Sequence, residues 1–400
     1  MRLDHLPGAP HLTYCTNIHA GESWADIAAS LAHHLPPIKA AVAPDLPMGL
    51  GLRLSGIAAD TLVEPAALAA FKDFLAEQDV YVFTINAFPY GPFHGVRVKE
   101  EVYQPDWTTP ERLRFTNRAA DILAELLPEG LAGSVSTVPG TFKPLASAPG
   151  TVEAMTRHYV DHAAHLVRLE RRTGRQIALS IEPEPCCFLE TIEETVRYFT
   201  AHLFAADACA RLAAATGLDD RAAREALGRH LGVCYDVCHA AVEFEDPLAS
   251  LAALDEAGIA VTKLQLSSAL RVPEVGADTE ALLTRFDEGV YLHQTIERRE
   301  GQLTRHLDLE EAFAGLRRGE AGGEWRVHCH VPVFLETLGR LGTTQGFLAE
   351  ILAECRRRLV SPHLEAETYT WDVLPPAFAG EDKAASIARE LNWVKDRLAA

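Results

Sequence analysis

Short apolar runs alternate with longer amphipathic segments along the whole 400-residue chain, and this alternation limits the possible folds more than any other feature. The strand-like runs are HLTYCTNIH (11–19), MGLGLRLS (48–55), VYVFTINAF (80–88), GSVSTVP (133–139), IALSIEPEP (177–185), LGVCYDVCH (231–239) and VTKLQLSSAL (261–270). WRVHCHVPVF (325–334) and HLEAETYTWDVL (363–374) follow late in the chain. Between the runs lie segments such as EPAALAAFKDFLAEQ and TVEAMTRHYVDHAAHLVRLERR, with apolar residues at helical spacing. Strand and helix in alternation imply parallel strands joined by crossover helices. The runs are apolar throughout, as in strands covered on both faces. Eight such units predict an α/β chain forming one (β/α)8 TIM barrel domain over residues 1–400, with HLEAETYTW as the eighth strand. A barrel needs only about 250 residues. The surplus is assigned to an insertion at about 89–109, after strand three, and another at about 271–334, after strand seven. The second takes in WRVHCHVPVF and a hairpin around Glu300-Gly301. An open doubly wound sheet is the alternative, but no glycine-rich nucleotide fingerprint follows the first strand.

Charge narrows the partners. With 56 acidic against 37 basic residues the net charge is −19, a field that repels phosphodiester backbones and anionic membranes. Nucleic acid is therefore not the expected partner; a small-molecule metabolite is. No run approaches the ~20 apolar residues of a membrane-spanning helix, so no membrane insertion is expected. The eight cysteines include no CxxC pair, and several lie in apolar runs, where a reduced thiol behaves as a small hydrophobe. This reads as a reducing, cytoplasmic setting.

In a barrel the C-terminal ends of the strands share one mouth. Strand five ends at Glu182, since Pro183 and Pro185 cannot donate to a ladder. Strand six ends with Asp236 and His239; strand eight carries Glu365 and, nearer its end, Glu367; strand seven carries Lys263 and Gln265. Carboxylates bunched at one rim repel one another unless a cation neutralises them, and two Glu, one Asp and a His make a divalent-metal set. Such a set favours Mn²⁺ or Mg²⁺ over structural Zn²⁺, with Zn²⁺ or Co²⁺ still open. Glu182 and Glu367 are the candidate catalytic groups. Asp236 has a simpler role open to it, as the cap of the next helix. His328 and His330 alternate on a strand and so share a face suited to metal or substrate. Arg53, Asn86, His94 and Lys143 sit at or beyond strand ends and are candidate substrate contacts, as is Trp371. The loop after strand three holds Phe88, Tyr90, Phe93, Tyr103 and Trp107, enough rings for a lid or stacking wall.

ALSIEPE, GVCYDVCHAAVEFED and HLEAETYTW resemble the metal-bearing strands of the xylose-isomerase-like barrels, which include sugar and sugar-phosphate isomerases and epimerases and the endonuclease IV type of repair enzyme. HLTYCTNIHAGESW, TINAFPYGPFHG, VKEEVYQPDW, STVPGTFK, HVPVF and ETYTWDVLP further resemble the EboE metabolite traffic family. That resemblance implies a role in moving a precursor metabolite, with partner proteins of the same traffic system. The superfamily pattern carries metal ligation onto Glu182, Asp236, His239 and Glu367. It departs on strand seven, where relatives place a histidine and this chain has Gln265. Three outcomes stay open: an oxygen-only metal site, replacement of the imidazole by His328 or His330, or loss of the metal.

Overall fold

The computed structural model describes residues 1–94, 97–287, 289–371, 374 and 382–400. Gly95 and Val96 of the aromatic loop, Glu288 of the later insertion, and Asp372, Val373 and Pro375 of ETYTWDVLP lie outside the described residues. Seven parallel strands come first: β1 (His11–Tyr14), β2 (Met48–Arg53), β3 (Val80–Asn86), β4 (Gly133–Thr137), β5 (Ile177–Ile181), β6 (Leu231–Asp236) and β7 (Val261–Leu266). Six strands of a second sheet follow: β8 (Ala269–Val272), β9 (Thr295–Arg299), β10 (Gln302–His306), β11 (Glu324–His330), β12 (Thr337–Leu338) and β13 (Leu341–Thr343). The chain then returns to the first sheet as β14 (His363–Ala366).

The parallel sheet runs β1-β14-β7-β6-β5-β4-β3-β2, and a parallel bridge between Cys15 and Gly51 joins its two edges. This is the eight-stranded barrel expected from the sequence, with β14 as its eighth strand. Every residue of β2, β4, β5, β6 and β14 is buried. That is why these runs read as continuously apolar: helices cover the outside and side chains fill the inside. The helices begin where capping oxygens are available. Ser23 and Asp26 form a reciprocal capping box at the head of Trp24–Val42, and Asp219 and Asp246 cap Asp220–His230 and Pro247–Glu256.

Among the barrel's buried side chains is a charged pair. Lys263 on β7 and Glu365 on β14 meet at 2.6 Å, both side chains with 0% exposure, and Lys263 also donates to Ser136 Oγ at 3.2 Å. Gly51 leaves room for the carboxylate, because a Cβ there would overlap Glu365. Burial alone would discharge the lysine, but the adjacent Glu365 carboxylate outweighs it and the ammonium holds its proton more tightly than usual.

The later insertion is a sheet in its own right, antiparallel in the order β10-β9-β11-β8-β13-β12. The β9–β10 hairpin turns through Glu300 (φ 52°) and Gly301 (φ 81°), both left-handed, which matches the twist of a two-residue hairpin turn. VTKLQLSSAL, read from sequence as one strand, is two. The ladder to β14 stops at Leu266, and Ser267-Ser268 redirect the chain into β8, which pairs with β11. The amide of Val331 returns to the carbonyl of Ser268 at 2.8 Å. This short link holds the end of β11 over the barrel mouth. All eight cysteines are free thiols, and no described helix is long and apolar enough to cross a membrane.

Two outcomes follow from this packing. Lys263→Met leaves Glu365 buried and unpaired and should cost about 3–5 kcal/mol by urea denaturation, with Lys263→Met/Glu365→Gln recovering much of the loss. Glu390, on the C-terminal helix Lys383–Ala399, accepts from Thr368 Oγ1 at 2.7 Å and Val333 N at 3.1 Å. Burial nevertheless raises its carboxyl to about 7. The folded chain therefore holds this proton more tightly than the unfolded one, and its contribution is lost as pH rises from about 4.5 through 7. Glu390→Gln should flatten that decline in a series of melting temperatures against pH; an unchanged slope would refute the assignment.

Candidate functional site

The C-terminal ends of β5, β6 and β14 deliver Glu182, Asp236 and Glu367 to one buried floor; their relative exposures are 3%, 2% and 5%. Each offers an oxygen within 4.8 Å of the other two. Asp236 does two jobs. Its Oδ1 caps the helix Val237–Val242, accepting from Cys238 N at 2.7 Å and His239 N at 3.2 Å, and takes a further bond from Ser267 Oγ at 2.6 Å. Its Oδ2 has no hydrogen-bond partner and faces the floor. Burial opposes ionisation of the Asp236 carboxyl, while the Ser267 hydroxyl and the His239 amide, donating to Oδ1, favour the charged form.

The two glutamates differ. Glu367 is tied by amides: Asn17 Nδ2 and Asn86 Nδ2 donate to its Oε1 at 2.6 and 3.3 Å, and Gln265 Nε2 donates to its Oε2. Glu182 has an unpartnered Oε2. Burial, then the charges of Glu367 and Asp236, push the Glu182 carboxyl well above its usual range. Burial also raises Glu367, and Asp236 adds to the effect.

The three imidazoles decide what the floor requires. His239 Nδ1 lies 2.9 Å from Pro183 O, His328 Nδ1 2.8 Å from Gln294 Oε1, and His330 Nδ1 2.8 Å from Glu367 O. These partners are carbonyl oxygens, which only accept. The Gln294 amide nitrogen is itself spent on Tyr103 Oη, Glu184 Oε1 and Pro185 O at 2.9–3.2 Å, which fixes its oxygen toward His328. Each ring therefore carries a proton on Nδ1, and burial, which disfavours the charged form of His239 and His328, leaves their Nε2 atoms as bare lone pairs. His239 Nε2 and His328 Nε2 nevertheless face each other at 3.1 Å, and His330 Nε2 has no partner and lies 3.9 Å from Asp236 Oδ2. Burial lowers the proton affinity of both His239 and His328. Facing lone pairs repel, and orphaned carboxylate oxygens add to the cost of burial. A divalent cation satisfies both, and the second-atom hydrogen bonds are those that orient imidazole ligands on metals. The donor set fits one: Asp236, His239 and His330 also present one atom each within 4.8 Å of one another, as do Cys238, His328 and His330.

The expected site residues divide by location. Asn86, Glu182, His239, His328, His330 and Glu367 line one cavity; Asp236 lies behind it, within 4.8 Å of Glu182 and Glu367, and Gln265 reaches it by donating to Glu367. Four expected substrate contacts lie elsewhere. Arg53 turns away to Glu22 at 2.8 Å and to the carbonyls of Gly21 and Gly91. Lys143 pairs with Glu190 at 2.6 Å and Glu194 at 2.9 Å, because the segment after β4 carries it to the rim of a separate groove. Trp371 packs near Phe334. His94 stands edge-on to Phe93 and does not line the cavity. The loop rings also divide: Phe88 and Phe93 line the cavity, and Trp107 is fully buried against Tyr159.

Sequence reasoning missed Asn17, Glu184, Tyr291, Gln294 and Tyr369, whereas Tyr103, one of the rings expected in the loop, does line the cavity. Glu184 was discoverable, since EPEP places a second carboxyl two residues beyond Glu182. It accepts from Tyr103 Oη at 2.8 Å, and burial raises its carboxyl to about 7.

No protein-family model and no curated protein sequence matches the chain. Among solved structures, a xylose isomerase-like TIM barrel protein from Mycobacterium smegmatis, in complex with magnesium, superposes with a TM-score of 0.50 at 9% identity, over 97% of this chain and 96% of that one. A putative sugar phosphate isomerase/epimerase from Anabaena variabilis gives 0.48 at 11% identity over 98% of each chain. The IOLI protein with a bound zinc atom gives 0.46 at 12%, over 97% and 98%. At 9% identity and a TM-score of 0.50, the likeness to the Mycobacterium protein shows the fold alone, a TIM barrel.

Proposed function

We propose that the chain binds one divalent cation at the barrel mouth and uses it on a small polar metabolite, in isomerase- or epimerase-type proton transfer. The observation that carries this reading is the set of bare imidazole nitrogens and orphaned carboxylate oxygens converging on one floor. Glu182, Asp236 and Glu367 would hold the ion, with His330 supplying the imidazole for which β7 offers Gln265. When bound, such an ion polarises a substrate carbonyl and stabilises the enediolate that forms on proton loss. Glu367, fixed by three amides, suits the role of rigid ligand. Glu182, with a free oxygen and a raised proton affinity, suits the role of proton carrier. Gln265 orients Glu367 in this scheme and need not touch the ion.

A second reading is a binding module that holds its metabolite without turnover, in keeping with the resemblance to the EboE metabolite traffic family and with partner proteins of that system. Gln265 favours it, since its amide engages the carboxylate that a histidine there would leave free. An endonuclease-like hydrolase is the least favoured reading, because a carboxylate floor in a chain of net charge −19 opposes a polyanion.

Elemental analysis of protein purified without chelator should find about one Mn, Mg, Zn or Co per chain. His330→Ala should weaken metal affinity by about 10–100-fold or more; unchanged affinity would exclude His330 as a ligand. Against a co-purified metabolite, Glu182→Gln should slow exchange of the carbon-bound hydrogen with deuterated water by about 10²–10⁴-fold. Full exchange in both Glu182→Gln and Glu367→Gln would remove the proton-transfer role and leave the binding module.

A further inference from the structure

The wall above the floor bears on which molecule enters. The upper lining of the cavity includes Phe88, Phe93, Val98, Val102, Tyr291 and Leu292. Phe93, Tyr291 and Tyr369 come from three separate parts of the chain and brace one another with ring centroids 5.1–5.6 Å apart. Tyr369 continues the wall down to His330, 4.8 Å away.

Charge at the mouth is already neutralised. Lys99 is the one lysine or arginine among the described lining residues, and its ammonium is paired with Asp308. Arg53 and Lys143 are paired outside the cavity. A phosphate would meet no unpaired side-chain cation, and it would face Glu182, Glu184 and Glu367. The polar groups of the lining are also largely committed to one another: Asn17 and Asn86 donate to Glu367, Tyr103 donates to Glu184, and Gln294 donates to both Tyr103 and Glu184. Asn17 Oδ1 is an exception. A ligand covered in hydroxyls would therefore lose its water against this wall and regain few hydrogen bonds, whereas an apolar surface loses nothing.

We infer that the ligand is an uncharged amphiphile, with a compact oxygen-bearing end on the floor and an aryl or comparably apolar portion against the wall. The polar end rests on the metal reading above; the apolar portion rests on the wall alone.

Three matched probes separate the possibilities: D-glucose, D-glucose 6-phosphate and phenyl β-D-glucoside, titrated by calorimetry into the protein as purified. The phenyl glucoside should bind about 10-fold or more tighter than glucose, the gain expected from burying one ring less its ordering cost, and the phosphate ester no tighter than glucose. In Val102→Ser/Leu292→Ser the phenyl preference should fall to about 3-fold or less, with metal content unchanged. Tighter binding of the phosphate ester than of the phenyl glucoside overturns the inference. So does an undiminished preference in the double variant, or no measurable binding of the phenyl glucoside. Metal content read on the same samples keeps the two claims apart: a metal-free protein that retains the phenyl preference sinks the metal reading and leaves the wall.

Discussion

Everything at the mouth of this barrel follows from the cost of burying acceptors with nothing to accept from. Glu182, Asp236 and Glu367 crowd one floor, and three imidazoles turn their lone pairs toward it. Among the described residues, the one fully buried lysine, Lys263, is consumed by Glu365 at 2.6 Å and leaves the floor above uncompensated. In a medium of low dielectric such a surplus of acceptors is destabilising unless a proton or a metal ion resolves it. Protons resolve part of it, as the raised affinities of Glu182 and Glu367 indicate. They do not resolve the facing nitrogens of His239 and His328, whose burial disfavours the charged form.

The barrel was legible because its strands, covered on both faces, are buried at nearly every position and so read as short, mostly apolar runs. The carboxylates were legible because a strand end in a barrel has one destination. Asp236 shows how far such reading goes. Helix cap and metal ligand presented themselves as alternatives, yet the geometry permits both, since Oδ1 serves the amides of Cys238 and His239 while Oδ2 remains open. Arg53 and Lys143 illustrate the opposite error. Position at a strand end predicts where a side chain starts, but a long side chain goes to its counter-charge, here Glu22 and the Glu190–Glu194 pair. Gln294 and Tyr291 gave no signal at all. They reach the site through a long irregular connection between β8 and β9, where no periodicity relates sequence position to direction.

On the metal reading, an imidazole from the added sheet in place of one from β7 changes more than the address of a ligand. His330 ends β11, and its Nδ1 is held by the carbonyl of Glu367 at 2.8 Å, so the two sheets are joined at the residue whose carboxylate belongs to the floor. Val331 returns to Ser268, and Gln294 locks His328 while reaching Glu184 on the β5 side. His330 is therefore oriented across the two sheets, whereas Pro183 holds His239 within the barrel and Gln294 holds His328 within the insertion.

This has an energetic consequence on the metal reading. A cation held by donors of both sheets stabilises only the arrangement in which they meet, since binding free energy goes to the state that presents the complete set. The added sheet is otherwise a set of short antiparallel strands, and every residue of its edge strand β10 but His306 is exposed. Strands of that length gain little stability alone. The ion would therefore fix the register of β11 against β14, and with it the position of Tyr291 and Leu292 over the cavity. The site's polar floor and its apolar wall are, in this view, one construction: the same segment that supplies the missing imidazole supplies the surface against which the rest of the ligand rests.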